Sequence, residues 1–246
     1  MIRSAQFPNK KNSHSGLKTA LGAALLALMP AAHANVIDFE GYANTVVTHG
    51  DSFQQAGFLM TGLVNDISAQ AGDLAGVVVD GGDPGLCAGL ACPSNNASSY
   101  FAALNDGVLL LDPAQAGNKF QIKGFDASFI GSAAGMAYPT VAGLLRVQGF
   151  YADGTSMYET YNLAGGANGL SFQHFNASAN FGNQSFSEVA FFGFSCAATG
   201  TCTAFNSNKG QFALDNIVAS VPEPSTYLML LTGLLCVAAA ARRRRA

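Results

Sequence analysis

Between residues 35 and 221 the chain consists of short segments in which apolar and polar side chains alternate, separated by Gly, Asn and Asp. Val36 to Glu40, Phe120 to Lys123 and Gln148 to Tyr161 show this alternation, the last of them around an Asp-Gly turn. A period of two places every second side chain on the same face of a β-strand. No comparable helical period occurs between these segments, so the pattern predicts an all-β domain.

Other segments have the same enrichment in β-branched and aromatic residues between turn signals. These strand candidates are residues 45–49, 53–60, 75–79, 100–104, 108–111, 170–175, 188–195 and 212–219. Many short strands, together with 18 phenylalanines in the chain to fill a core, predict a sandwich of two sheets. Gly107 to Leu111 and Val189 to Phe192 are almost wholly apolar, which is typical of strands buried from both sides.

The N-terminal end differs in composition from this region. Four basic residues precede an apolar stretch at residues 19–29, and Ala32-His33-Ala34 supplies small residues at the two positions that a signal peptidase inspects. We therefore expect a signal peptide at residues 1–34, cleaved before Asn35. An uncleaved N-terminal helix is the alternative, but the apolar stretch is short and ends at Pro30.

The C-terminal end combines a proline-flanked acidic motif, an apolar run and a basic cluster. The motif is Val221, Pro222, Glu223 and Pro224, and the cluster is Arg242, Arg243, Arg244 and Arg245. The apolar run from Tyr227 to Ala241 reaches only about 22 Å as a helix against a hydrocarbon core of about 30 Å. With Ser225 and Thr226 added, and with arginine stems that extend to the headgroups, a thin single crossing is expected. Arginines after such a span stay in the cytoplasm, so the preceding domain is expected outside. The two prolines keep the junction extended, as a protease groove requires.

These three elements, in this order, resemble the PEP-CTERM sorting signal, which would occupy residues 221–246. Gram-negative bacteria pair this signal with an exosortase, a membrane-embedded cysteine protease or transpeptidase. The resemblance implies an exported precursor anchored in the inner membrane by residues 227–241, then processed and delivered to the cell surface or the extracellular matrix. Exosortase and signal peptidase are the implied partners. A plain C-terminal membrane anchor is the alternative.

The region between the two signals, residues 35–220, is expected to form one exported domain, since a chain of this length can bury a real core. It holds four of the twelve basic residues and, up to Val221, fourteen of the fifteen acidic ones, a formal charge of −10. So acidic a domain is unsuited to binding nucleic acid or anionic lipid. It is compatible with divalent cations.

Four cysteines lie in the exported region, as is common for proteins of oxidising compartments. Pairing of Cys87 with Cys92 and of Cys196 with Cys202 is the simplest connectivity, although four cysteines permit three. A zinc site is the alternative. It is disfavoured because neither spacing is Cys-x-x-Cys and no histidine stands beside either pair.

A second resemblance rests on Gln211-Phe212-Ala213-Leu214-Asp215, together with Ile37 to Gly41 and Val147 to Thr155. These segments are similar to a family of PEP-CTERM proteins with a C-terminal Gln-Phe-x-x-Asp motif, whose domains resemble jelly-roll, galactose-binding-like sandwiches. In such sandwiches the first and last strands can lie side by side and share a structural calcium. The resemblance thus implies Glu40 and Asp215, with Asp38, as calcium ligands. Solvated acids on a sheet edge are the alternative.

Motifs of known catalytic chemistry are missing from the exported region: it has no His-Glu-x-x-His, no Gly-x-Ser-x-Gly and no phosphate loop. Its two histidines, His49 and His174, are expected to have structural roles. We assign no catalytic residue and no cofactor beyond the implied calcium. The sequence predicts a non-catalytic binding or structural role with exopolysaccharide or other envelope components. A secreted hydrolase acting on glycans is the alternative.

Overall fold

A computed structural model describes residues 34–87, 89–166, 170–221, 232–235, 238 and 242. Most of the predicted signal peptide, Pro222 to Pro224 and most of the predicted membrane span lie outside these residues. Those that are described within the tail, 232–235, 238 and 242, are helical. In the described part of the chain, no helix is both long and apolar enough to cross a membrane.

The described strands form two antiparallel sheets of seven strands each. Sheet A contains β1 (Ala34–Ile37), β2 (Val46–Thr48), β5 (Leu74–Asp80), β6 (Ser99–Ala103), β8 (Gln121–Phe129), β11 (Gln173–Asn176) and β14 (Phe212–Ser220). Sheet B contains β3 (Ser52–Gln55), β4 (Phe58–Val64), β7 (Gly107–Pro113), β9 (Val141–Phe150), β10 (Ser156–Ala164), β12 (Glu188–Cys196) and β13 (Cys202–Thr203). The predicted all-β, two-sheet sandwich is confirmed.

In sheet A the strand order is β11-β8-β14-β6-β5-β2, with β1 also paired to β14. In sheet B it is β10-β9-β12-β7-β4-β3, with β13 also paired to β12. Side chains of both sheets meet in one apolar core, where phenylalanine dominates as predicted. Its fully buried phenylalanines include Phe39, Phe58, Phe101, Phe120, Phe125, Phe181, Phe186, Phe191 and Phe212.

One predicted strand is two strands in the structure. Residues 53–60 were expected to be continuous, but β3 ends at Gln55 and β4 begins at Phe58. Ala56 and Gly57 both have positive φ, +52° and +83°, which is the geometry of a tight two-residue hairpin turn. The prediction was wrong because the first turn position holds alanine rather than the Asn, Asp or Gly that usually marks such a turn. The predicted turn at Asp153-Gly154 is present, closed by a 3.0 Å bond from the Gly154 N–H to the Tyr151 carbonyl.

The apolar runs in β7 and β12 are not buried equally on both sides. Leu109 and Phe191 point into the core and are fully buried, whereas Leu110 and Phe192 point away from it and are only partly buried. The two runs therefore supply the core on one side and a partly exposed apolar surface on the other. This second surface is called the outer face of sheet B below.

A β-bulge interrupts β14, the strand that contains the Gln-Phe-x-x-Asp motif. Asp215 lies opposite Asp126, but Val218 lies opposite Gly124, so β14 has one residue more than β8 over this stretch. Asn216 takes φ +49°, in the left-handed region that asparagine tolerates better than most residues. The extra residue reverses the alternation, so both halves of β14 send apolar side chains into the core. Those side chains are Phe212, Leu214, Ile217 and Ala219.

The bulge is also the point where β14 exchanges neighbours. Before it, Phe212–Leu214 pairs with β6, and after it Ile217–Ser220 pairs with β1. The first and last strands thus lie side by side, as the resemblance implied. Glu40, just after β1, accepts hydrogen bonds from the Ser99 N–H and hydroxyl at 3.0 and 3.1 Å, which ties the two neighbours of β14 together.

Two disulfides close the loops predicted from the sequence, Cys87–Cys92 and Cys196–Cys202. A 3₁₀ turn, Pro84–Cys87, leads into the first loop, which packs on sheet A over a second apolar cluster that includes Tyr100. Just after the second loop, Phe205 packs on sheet B, with its ring centroid 5.2 Å from that of Phe192. The stapled loops therefore lie on different sheets. The one described α-helical turn of the sandwich, α1 (Ala179–Gly182), is capped by the Ser178 hydroxyl.

Candidate functional site

The three acids implied as calcium ligands form hydrogen bonds with different groups. Asp38 accepts from the Gln55 side chain at 2.7 Å, and Glu40 accepts from Ser99. Among the described residues, no group of three or more His, Cys, Asp and Glu side chains is arranged to hold a metal ion. These carboxylates face hydrogen-bond donors, whereas in a calcium site they would point together at one shared ion. A calcium site at Asp38, Glu40 and Asp215 stays a prediction.

Asp215 is fully buried at the bulge of β14. Its Oδ2 accepts hydrogen bonds from Asn96 Nδ2 at 2.7 Å and the Ser98 hydroxyl at 2.9 Å, and its Oδ1 accepts from the Asn216 N–H at 2.7 Å. The pKa of Asp215 is raised to about 6, mainly by burial and also by the charge of Asp126, and this value already includes the opposing effect of the three hydrogen bonds. A buried carboxyl therefore changes its charge near neutral pH.

Asp126 and His174 continue this polar row across sheet A. His174 lies opposite Asp126 on β11, and Asp126 lies opposite Asp215 on β14. Asp126 Oδ1 is 2.7 Å from His174 Nδ1, and its Oδ2 accepts from Asn216 Nδ2 at 2.9 Å. A pocket of about 300 Å³, here called the sheet A pocket, opens beside the row. It is lined by Asn95, Asn96, Asp126, Phe172, Gln173, His174 and Asn216.

The other histidine has a local structural contact. His49 Nδ1 accepts a 3.0 Å hydrogen bond from the Val64 N–H, which ties β2 of sheet A to the end of β4 in sheet B. The sequence predicted structural roles for both histidines. His174 is exposed, as a surface role allows, and lines the rim of the sheet A pocket.

The outer face of sheet B is a regular grid of side chains set by the strand register. One row runs across β10, β9, β12, β7 and β4 through Thr160, Arg146, Phe192, Val108 and Leu63. The neighbouring row contains Tyr158, Gln148, Ala190, Leu110 and Thr61. Opposite residues of antiparallel strands share a face, so these side chains form one continuous surface.

Arg146 is at the centre of the aromatic part of this face. Its guanidinium carbon lies 4.3 Å from the Tyr158 ring centroid and 4.8 Å from that of Phe194. The Phe192 ring lies 5.8 Å from Phe194 and 5.2 Å from Phe205, centroid to centroid. These four rings around Arg146 are called the aromatic band below. Within the described chain Arg146 has no carboxylate within 4.0 Å. The rings hold the cation in place, together with a 3.3 Å hydrogen bond that its Nε donates to the Thr160 hydroxyl.

Sequence reasoning did not single out Arg146 or its rings. The available signal was the pair Phe192 and Phe194, two residues apart on one strand and therefore on the same face. Arg146 meets Tyr158 across the β9–β10 hairpin, but its position beside Phe192 and Phe194 depends on pairing of β9 with β12, which is far from it in the sequence.

Two carboxyl groups lie at one end of the same face. Val189 on β12 lies opposite Leu111 on β7. Glu188 and Asp112 are the next pair along the same two strands. Burial raises the pKa of both groups, and the charge of Asp112 raises the pKa of Glu188 further. This end of the face resists becoming doubly charged.

Comparison with known proteins identifies the C-terminal segment. Residues 220–245 match the model of the PEP-CTERM protein-sorting motif. The motif and the two disulfides indicate an exported cell-surface protein that an exosortase processes. No curated protein matches the sequence.

Several solved structures resemble the sandwich at low identity. A DUF4465 family protein from Bacteroides ovatus is 13% identical, with 78% of this chain and 100% of that chain covered and a TM-score of 0.45. A mutant of the carbohydrate-binding module CBM29-2, complexed with mannohexaose, is 11% identical, with 78% and 93% covered and a TM-score of 0.36. A likeness this distant says nothing about what the present chain binds.

Proposed function

We propose that this protein is exported, processed by an exosortase at its PEP-CTERM motif, and binds envelope or matrix polysaccharide, without catalysis, through the outer face of sheet B. The observation that carries the binding proposal is the aromatic band around Arg146. The sorting motif indicates where the domain acts.

The aromatic band has the chemistry that a sugar chain requires. Sugar rings have apolar C–H faces that stack on aromatic side chains, and hydroxyl groups that need hydrogen-bond partners. Tyr158 is 59% exposed and offers such a stacking surface. Thr160 lies on the same strand as Tyr158, and Arg146 and Gln148 lie on the adjacent strand β9. All three side chains share the face of the Tyr158 ring and supply hydrogen-bond donors and acceptors. A flat sheet surface lets an extended chain contact several of these groups at once.

The charge of the domain favours a neutral saccharide. With a formal charge of −10 between residues 35 and 221, the domain repels polyanions at long range. Arg146 is the one cation in the aromatic band, and it can donate several hydrogen bonds to hydroxyl groups in a fixed geometry.

The remaining parts of the proposal concern fold type, export and anchoring. The pairing of β1 with β14 supports a jelly-roll, galactose-binding-like sandwich. We propose that signal peptidase cleaves before Asn35 and that residues 227–241 hold the precursor in the inner membrane. Arg242 to Arg245 would then remain in the cytoplasm until processing. Structural calcium at Glu40 and Asp215, with Asp38, is the last part of the proposal. It requires these side chains to turn from their present hydrogen-bond donors toward the ion.

Binding is tested by retention of the exported domain on a panel of insoluble or immobilised polysaccharides that includes those of the native envelope. We expect retention by wild type, and a loss of roughly tenfold or more for Tyr158→Ala and for Arg146→Met, since a stacking aromatic or a well-placed Arg contributes on the order of 1–2 kcal/mol. Val46→Ala removes an exposed apolar side chain on β2 of sheet A and serves as the matched control. Equal retention of all four proteins, or none on any polysaccharide, would contradict the proposal.

Sorting is tested separately by intact-mass analysis of the protein from the cell envelope and medium of the native host. We expect a mature form that begins at Asn35 and ends near Val221. A variant with Pro222, Glu223 and Pro224 all changed to Ala should keep its tail. A mass that retains Tyr227 to Ala246 in both proteins would show that the tail is a plain anchor.

A further inference from the structure

We infer that the sheet A pocket is a second binding site, which takes a single neutral sugar residue. It lies on the outer side of sheet A, beside β8, β11 and β14, whereas the aromatic band lies on sheet B. It is therefore distinct from the surface used in the proposed function. The inference does not depend on that function.

The pocket is built where three distant segments are fastened together. The side chain of Asn95 accepts from the Phe172 N–H at 2.7 Å and donates to the Phe172 carbonyl at 3.1 Å. This pair of bonds fixes the loop after the first disulfide to the segment that enters β11. The bulge of β14 contributes Asn216 to the same opening.

Its polar groups are held in position before any ligand arrives. Each carboxylate oxygen of Asp126 has its own partner, His174 for Oδ1 and Asn216 for Oδ2. Buried Asp215 accepts from Asn96 at 2.7 Å and lies 3.4 Å from Asn216 Nδ2. Groups that are already ordered lose little conformational entropy when a ligand binds. The arrangement is that of a preformed binding site.

The lining selects the class of ligand. A carboxylate, an imidazole and the side-chain amides of Gln173 and Asn216 alternate as acceptors and donors, and Phe172 adds an apolar wall. This mixture matches a sugar ring, which has hydroxyl groups around its edge and C–H groups on its faces. Among the described residues neither Lys nor Arg lines the pocket, whereas the carboxylate of Asp126 does, so the lining disfavours an anion.

The volume of the sheet A pocket and the number of acidic residues described around it exclude other classes of ligand. No third His, Cys, Asp or Glu joins Asp126 and His174 in a metal-holding group within the described chain. A volume of about 300 Å³ is at the lower end of the range for ligand pockets, which suits one ring rather than a chain. With a chain on sheet B and a single residue on sheet A, one domain can link two saccharide molecules.

The test is a titration of the full exported domain with methyl glycosides of glucose, galactose, mannose and N-acetylglucosamine, followed by NMR chemical shifts. We expect one or more of these sugars to shift signals of Asn96, His174 and Asn216. Asn216→Gly keeps the left-handed backbone and removes the amide, so its affinity should fall roughly tenfold, the size expected for one lost hydrogen-bonding group.

Asn105→Gly is the matched control, because Asn105 also has positive φ, at +54°, and lies in the turn between β6 and β7. It should bind the sugar as wild type does. The inference would be overturned if no glycoside shifts these signals at tens of millimolar, or if Asn216→Gly binds as tightly as Asn105→Gly. Polysaccharide retention lost through Tyr158→Ala would still support the aromatic band, so the two proposals can fail independently.

Discussion

Asp215→Asn should change how the stability of the sandwich depends on pH. Burial raises the pKa of Asp215 to about 6 in the folded protein, from 3.8 for an ordinary aspartate. Between these two values the folded state holds a proton that the unfolded state has released. The free energy of unfolding of wild type therefore falls as pH rises from about 4 to about 6, and levels off above that window.

The size of the effect follows from the shift. A change of roughly two pKa units corresponds to about 3 kcal/mol, at 1.36 kcal/mol per unit. Asparagine cannot ionise, so the free energy of unfolding of the variant does not fall in this way as pH rises. Its amide can keep the bonds from Asn96 and Ser98 but turns a donor toward the Asn216 N–H, which costs about 1–3 kcal/mol at every pH. The difference between variant and wild type should thus rise by about 3 kcal/mol between pH 4 and pH 7.5.

Urea unfolding at fixed pH values, with both disulfides intact, measures this difference directly. Asp51→Asn is the control, because hydrogen bonds from the side chain and backbone of Thr48 lower the pKa of Asp51 below 3.8. The stability that ionised Asp51 contributes is present above pH 3.8 and is lost only in more acidic solution. The difference in free energy of unfolding between Asp51→Asn and wild type should therefore be flat from pH 4 to pH 7.5. If the difference between Asp215→Asn and wild type stays flat or falls as pH rises, the raised pKa of buried Asp215 is refuted. A falling curve that depends on added calcium would instead support the predicted calcium site.

Three further changes test other parts of the structure. Because burial and the charge of Asp112 raise the pKa of Glu188, Glu188→Gln should raise the free energy of unfolding at pH 7 and lose this advantage as pH falls toward 4.5, which urea unfolding at both pH values can check. Replacing Cys87 and Cys92 by Ala should cost about 2 kcal/mol from the loop alone. It should cost more than replacing Cys196 and Cys202, because Cys87 and Cys92 both pack in the apolar cluster around Tyr100, whereas Cys196, although equally buried, belongs to neither apolar cluster; similar melting temperatures for the two double variants would contradict this. At the bulge, Asn216→Ala should be less stable than Asn216→Gly by roughly 1 kcal/mol, since φ is +49° there; equal midpoints of unfolding would count against a left-handed Asn216.

The features that could be predicted from the sequence are those encoded by neighbouring residues. The sorting motif needs only the order of a Pro-Glu-Pro segment, an apolar run and arginines, all within residues 220–245. The two disulfides join cysteines five and six positions apart, so short-range pairing identified them. Alternation located most strands, because the period of two is a local consequence of backbone geometry. It failed at Ala56-Gly57, where alanine occupies a turn position that usually holds Asn, Asp or Gly.

Both candidate sites depend on contacts that only the tertiary structure provides. Asp215 meets Asn96 and Ser98 across 119 and 117 residues, and Arg146 reaches its rings because β9 pairs with β10 on one side and with β12 on the other. The bulge at Asn216 sets the direction of Asp215 relative to the second half of β14, and the change of phase in the apolar residues does not by itself say which groups Asp215 will meet. The local sequence thus determined the strands, the staples and the sorting motif. The order of strands in each sheet, which is chosen by packing of the whole core, decided which polar and aromatic groups came together.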